Sequence, residues 1–268
     1  MIHITEEGRP AAPLRLQTFN KFPVDARRAN ALAALRRGYP DVRVHEGRFR
    51  GAPAAIVGAG PSVEESLETL RQWRGPVIAC EKIAALLAGA GVDPDYVVAL
   101  DASEDVARSI LAGPQDATYL LALQCAPVAY DALGERDAAV YMNMMEDVDV
   151  DELLELADVT IVNAGGSVTI ACASLSIILG CRELHVFGFD CHIGQGLYAK
   201  GTTGVGVDAT VVPATIGDRL WHTTWAYLEF ARQMLELRAL GRRLGAIDDL
   251  RIHGDSLACA MSQEDVAA

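Results

Sequence analysis

The chain of 268 residues is 51% hydrophobic and 22% charged, which is ample for a buried core and unlike a disordered segment. A formal net charge of −13 repels a phosphate backbone, so stable nucleic-acid binding is not expected; a local pocket for one small anion is compatible with it. The length suits one large α/β domain, or one such domain with appendages.

Residues 1–50 read as a leader or cap, interrupted by Pro10, Pro13 and Pro23. Its opening, Met1-Ile2-His3-Ile4-Thr5-Glu6-Glu7, has neither the basic stretch nor the apolar run of a signal peptide, so a cytoplasmic protein is expected. One helix is predicted from Asp25 to Gly38, ended by Gly38-Tyr39-Pro40. Arg27, Arg28, Arg36, Arg37, Arg43, Arg48 and Arg50 make the leader locally basic, either as a solvated helix face or as a cap turned toward an anion or another subunit.

Residues 51–268 read as a single Rossmann-like nucleotide-binding domain. Short apolar runs at 54–57, 76–80, 96–100, 119–123, 138–142, 160–162 and 183–189 alternate with helix-period segments, among them 62–73, 82–90 and 167–179. The runs are continuously apolar, as strands buried on both faces are. This predicts an α/β fold with a mostly parallel sheet and helices on both faces. After Asp190 the pattern stops. Residues 191–216, rich in Gly, Thr and Val, read as an active-site loop in which Tyr198 and Lys200 could clamp an anion. A long helix is then predicted from about Asp218 to Arg243, and a short strand and turn over Leu250 to Leu257. The longest apolar stretch, Ile170 to Leu179, is shorter than the roughly 20 residues a membrane-spanning helix needs. The six cysteines (Cys80, Cys125, Cys172, Cys181, Cys191 and Cys259) form no CxxC pair and are expected as reduced thiols, mostly buried. Cys181 and Cys191 flank one predicted strand, the sole hint of a zinc site.

Four segments carry chemistry. In Ile56-Val57-Gly58-Ala59-Gly60-Pro61-Ser62, Gly58 and Gly60 would let the backbone approach a phosphate, and the following helix would turn its N–H groups toward the anion. Ser62 and Glu65 match a capping box. No Lys follows Gly60, so this is not a P-loop, and Val63 stands where a dinucleotide fingerprint has its third Gly. Glu81, after the second strand, occupies the place of a ribose-binding acid, which keeps an NAD or FAD oxidoreductase open. Asp101, at the end of the third strand, suits a ribose hydroxyl, a metal or a substrate, or simply a helix cap. Asn163-Ala164-Gly165-Gly166-Ser167 is a second polar turn between strand and helix. Phe187-Gly188-Phe189-Asp190-Cys191-His192 ends a buried strand; His192 is a candidate acid or base, with His222 as its rival.

The ordered set of Gly58-Ala59-Gly60-Pro61-Ser62, the run from Gly91 to Asp101, Gly165-Gly166-Ser167-Val168, and Leu179-Gly180-Cys181 with Phe187-Gly188-Phe189-Asp190 resembles the MptE-like 6-hydroxymethylpterin diphosphokinase family. That family includes the sialyltransferase-like core domain of the motility accessory factors. The resemblance covers about residues 52–200. It implies a Rossmann-like transferase with two branches of chemistry. The pterin branch transfers diphosphate from ATP with magnesium, whereas the motility branch transfers a CMP-linked nonulosonic acid to flagellin. Where the archaeal pterin enzymes carry Asp-Leu-Asp-Gly and His-Gly-Asp-Asn, this chain has Leu100-Asp101-Ala102 and Leu123-Gln124-Cys125-Ala126-Pro127, so a second metal-binding carboxylate is missing.

The expectation is therefore glycosyl transfer from a CMP-sugar type donor to an unidentified acceptor. Gly58, Gly60, Pro61, Ser62, Asn163, Gly165, Gly166 and Ser167 would orient the nucleotide. Asp101 and Asp190 would hold hydroxyls or a magnesium ion, and His192 would move the proton. ATP- and magnesium-dependent diphosphate transfer to a pterin-like hydroxymethyl group is the alternative, followed by an oxidoreductase or a non-catalytic nucleotide-binding module. Homo-oligomerisation stays open.

Overall fold

The computed structural model describes residues 3–6, 9–10, 22–143, 158–194, 199 and 210–267. Tyr198 and Lys200 lie outside the described residues, as does most of the segment between them and the next strand. The chain begins with β1 (His3–Glu6), β2 (Arg9–Pro10) and α1 (Val24–Leu35). A regular alternation follows: β3 (Pro53–Val57), α2 (Val63–Arg71), β4 (Val77–Cys80), α3 (Glu81–Gly89), β5 (Tyr96–Ala99), α4 (Asp105–Ala112), β6 (Thr118–Ala122), α5 (Pro127–Asp131), β7 (Ala138–Asn143) and β8 (Ile161–Val162). Next come α6 (Val168–Ile178), β9 (Glu183–Phe187), β10 (Val211–Ile216), β11 (Arg219–Thr224), α7 (Trp225–Arg243), β12 (Asp249–Ile252) and α8 (Leu257–Ala267).

Eight strands form one sheet in the order β12-β9-β3-β4-β5-β6-β7-β8, and every neighbouring pair is parallel. Every residue of β4 and β5 is buried, which explains why these strands read as unbroken apolar runs. From β3 to β8 the chain steps in one direction, and right-handed crossovers then put α2 to α5 on one face. The return from β8 to β9 reverses direction, so α6 crosses the opposite face, where it packs on β3, β4, β5, β8 and β9. The sheet is thus covered on both sides, as expected for a Rossmann-like α/β arrangement. α1 rests on α5 with Ala31 and Ala34 buried.

A second sheet, antiparallel and ordered β11-β10-β1-β2, departs from the sequence reading. Residues expected as loop form β10, and the start of the expected helix at Asp218 is a hairpin turn followed by β11. Ile216 pairs with Arg219 across Gly217-Asp218, with Gly217 at φ 56° as a tight hairpin demands. Trp221 and Thr223 are buried while Leu220 and His222 are exposed, a period of two and not 3.6. α7 starts at Trp225, where the Thr224 hydroxyl accepts from the Tyr227 N–H at 3.1 Å. The tail expected as strand and turn continues into α8.

The cysteines conform to expectation: all six are free thiols, with Cys259 half-buried and the others buried. No helix among the described residues is long and apolar enough to cross a membrane.

Candidate functional site

β3 connects onward to β4, whereas β9 and β12 lie on its other side. The boundary between β3 and β9 is therefore a topological switch point, and its carboxyl edge opens a crevice of the kind that takes ligands in open α/β sheets. The Gly58 to Ser62 turn and the Gly188 to Asp190 turn meet there.

These two turns are bonded to each other. The Gly58 N–H donates to Phe187 O and the Gly60 N–H to Gly188 O, both at 2.8 Å. The Ser62 N–H donates to Asp190 Oδ2 at 2.9 Å, and the Ser62 hydroxyl bonds Asp190 Oδ1. A Cβ on Gly58 would lie 2.4 Å from Gly188 O, and one on Gly60 would lie 2.7 Å from Asp190 Cγ. Gly58 and Gly60 are thus demanded by the approach of the neighbouring turn. The amides expected to cradle a phosphate point at protein acceptors, and the buried Asp190 carboxylate takes the anion's place at the start of α2. The expected capping box is absent: Ser62 makes no side-chain cap bond because its hydroxyl is engaged by Asp190.

The cavity proper lies beside this pair of turns. Ala59, Gly60 and Asp190 form one wall. The first turns of two helices form another, Glu81 and Lys82 of α3 with Gly166 to Thr169 of α6. Asp101 and His192 also line it, as do Tyr227 and Phe230 of α7. Ser167 caps α6 by accepting from the Thr169 N–H at 3.3 Å, so this second turn, and not the first, faces a helix N-terminus into the cavity. Gly166 packs against the Phe230 ring, which a Cβ there would displace.

The other expected residues sit elsewhere. Gly58, Pro61 and Ser62 lie behind the cavity wall. Asn163 is exposed, and its amide oxygen accepts from the Gly165 N–H at 3.0 Å, closing its own turn. Gly165 supplies the φ of 51° that this turn needs. His222 is exposed on β11. His192 Nδ1 lies 3.2 Å from Asp190 O, and its ring stands edge-on to Trp221 with centroids 4.8 Å apart. It follows Cys191, at φ 54° the non-glycine residue in the left-handed region among those described, a strained backbone that aims His192 at the cavity.

Glu81 is the group that sequence reasoning undervalued. It is 1% exposed, and neither carboxyl oxygen has a hydrogen-bond partner among the described residues. Burial pushes its carboxyl up to about 7; the Lys82 charge and the backbone N–H groups of Glu81 and Lys82 oppose the shift, and Asp101 adds to it. An acid directly after the apolar run 76–80 was the available signal, since a helix starting there must bury its first residue. Magnesium finds a poor fit in this cavity. Both Asp190 oxygens are engaged by Ser62, and among the described residues no group of three His, Cys, Asp or Glu side chains could hold a metal ion.

A family model described as "6-hydroxymethylpterin diphosphokinase MptE-like" matches residues 29–196. Among solved structures, the Maf glycosyltransferase of Magnetospirillum magneticum AMB-1 superposes with a TM-score of 0.54 at 19% identity, over 84% of this chain. The chain spans 40% of the length of that enzyme. A quinone oxidoreductase from Coxiella burnetii aligns at 15% identity over 47% of this chain and 44% of its own, but its TM-score of 0.17 bears on nothing. No curated protein matches the sequence.

Proposed function

The chain belongs to the MptE-like family, and on that premise we propose that it is a transferase that moves a sugar from a nucleotide-activated donor of the CMP-sugar type to an acceptor hydroxyl. The observation that carries this reading is the convergence of the α3 and α6 N-termini, Lys82 and the Ser167 turn on one cavity at the sheet's switch point. Such an arrangement favours an anionic leaving group: amide dipoles and an ammonium stabilise the charge that develops on a departing phosphate. Tyr227 and Phe230 offer the flat apolar surface on which a nucleobase stacks, and Asp101 an acceptor for a ribose or sugar hydroxyl. His192 stands across the cavity as a donor or acceptor at the reacting centre. The shared fold of the Magnetospirillum Maf glycosyltransferase supports the sugar-transfer branch over the branch for which the family model is named.

A thermal-shift panel of CMP, CDP, UDP, ATP and NAD, each with and without magnesium, tests the reading. Binding stabilises the folded chain by mass action, so the preferred nucleotide raises Tm most. CMP or CDP stabilisation without metal is expected. ATP stabilisation only with magnesium would favour diphosphate transfer, NAD would favour an oxidoreductase, and silence from every nucleotide would overturn a nucleotide-dependent transferase.

A further inference from the structure

Glu81 is buried without a side-chain partner: the first amides of its own helix, the N–H groups of Glu81 and Lys82, favour its charge. It opens α3 at the carboxyl end of β4, is 1% exposed, and keeps both carboxyl oxygens without a side-chain partner while lining the cavity. A buried carboxyl without a partner costs stability, so it persists where a bound molecule supplies the partner. Asp190, by contrast, is engaged by Ser62.

We propose that Glu81 takes the proton from the acceptor hydroxyl during transfer. The inference rests on the donor reading above. As the acceptor oxygen bonds the sugar's anomeric carbon, the bond from that carbon to the phosphate oxygen breaks. The electron pair leaves with the nucleotide phosphate, and the hydroxyl proton passes to a Glu81 oxygen, from which water later removes it.

The surroundings set the pH at which this works. Lys82 of the same helix favours the carboxylate, and Asp101 beyond β5 disfavours it. Cys125 beyond β6, Tyr141 of β7 and Cys172 of α6 also face it, each with its own ionisation pushed well up by burial, so they stay neutral. Burial leaves Glu81 titrating about 7, where a base is both available and strong enough to accept a proton.

The test uses the full chain with CMP-N-acetylneuraminic acid as donor and water as acceptor, read as CMP release. Wild-type turnover should fall on the acid side with a midpoint near 7. Glu81→Gln, which keeps the shape, should lower kcat about 100-fold and abolish that acid limb, with KM and the CMP thermal shift unchanged. His192→Gln should keep the limb, which separates Glu81 from an imidazole. Infrared difference spectra of wild type against Glu81→Gln should show a carboxyl band that titrates near 7 with no substrate present. Equal turnover in Glu81→Gln, a limb that moves with His192→Gln, or a band in the ordinary carboxylate range each overturns the role of Glu81 alone. A wild type that neither binds CMP nor releases it overturns the donor reading, and this role with it.

Discussion

Two side chains show opposite ways of burying a carboxylate at one sheet edge. Asp190 is buried against the Ser62 N–H and hydroxyl; Glu81 is buried with no side-chain hydrogen-bond partner, and the first amides of its own helix only partly offset its burial. The difference has a thermodynamic signature. Glu81 ionises about 7 in the fold against an ordinary value of 4.5. The folded state therefore binds the extra proton between these values, and stability falls as pH rises through that window. Above it, the buried charge costs on the order of 3 kcal/mol. Glu81→Gln should raise Tm at pH 8 and leave it near wild type at pH 4.5, with the gap opening between; denaturation curves at several pH values check this. Asp190→Ala should instead lower stability by about 1–3 kcal/mol at neutral pH, because it strands the Ser62 amide. The two Gly-rich turns should also separate. Gly58→Ala meets the Gly188 carbonyl, which cannot step aside, and should fail to fold or lose several kcal/mol. Gly166→Ala meets only the Phe230 ring, which can swing, so it should disturb ligand binding more than Tm. The sequence marked all four positions as special, but it could not say that Gly58 packs against another turn while Gly166 lines the cavity.

At the scale of elements, the legible part was whatever repeats. Six strands from β3 to β8 were readable because each is an apolar run closed by a polar turn; for the central β4 and β5, burial on both faces leaves no other composition. The β10–β11 hairpin was not, because Trp221, Trp225, Tyr227 and Leu228 supply enough apolar residues to extend a helical pattern backwards past the real start of α7. The alternation of Leu220, Trp221, His222 and Thr223 was the signal that should have prevailed. Of the expected site residues, Asp101, Asp190, His192, Gly60, Gly166 and Ser167 line one cavity, whereas Gly58, Pro61, Ser62, Asn163 and Gly165 do not. Asp41 ties the leader to the far edge of the sheet, where its carboxylate accepts from the Thr160 N–H at 2.6 Å and hydroxyl at 2.7 Å. Burial raises the Asp41 ionisation, but these bonds and those of Arg43 outweigh it and hold the carboxyl below its ordinary value. This contribution is present at neutral pH and is lost as pH falls through the lowered value. Asp41→Ala should cost about 1–3 kcal/mol at pH 7 and less in acid, with amide exchange accelerated first around β7 and β8.

For the whole molecule, the order of the strands has a consequence in time. β3 pairs with β9, joining positions 53 and 183, and β9 in turn pairs with β12 near the far end of the chain. The strands from β3 to β8 can zip up one after another as they emerge, each beside its predecessor. The two turns that carry Ser62 and Asp190 cannot meet until nearly the whole sheet exists and the chain has doubled back across it. Closing so distant a pair costs entropy before any contact repays it. A refolding chain should therefore pass through a state in which the β4 to β7 amides are already protected while those of Gly58, Gly60 and Ser62 still exchange, a sequence that pulsed hydrogen exchange would resolve. The crevice is then the last part of the protein to come into being, so a chain stopped short of β9 would hold Glu81, Lys82, Asp101 and the Ser167 turn but lack the wall that Asp190 and His192 supply.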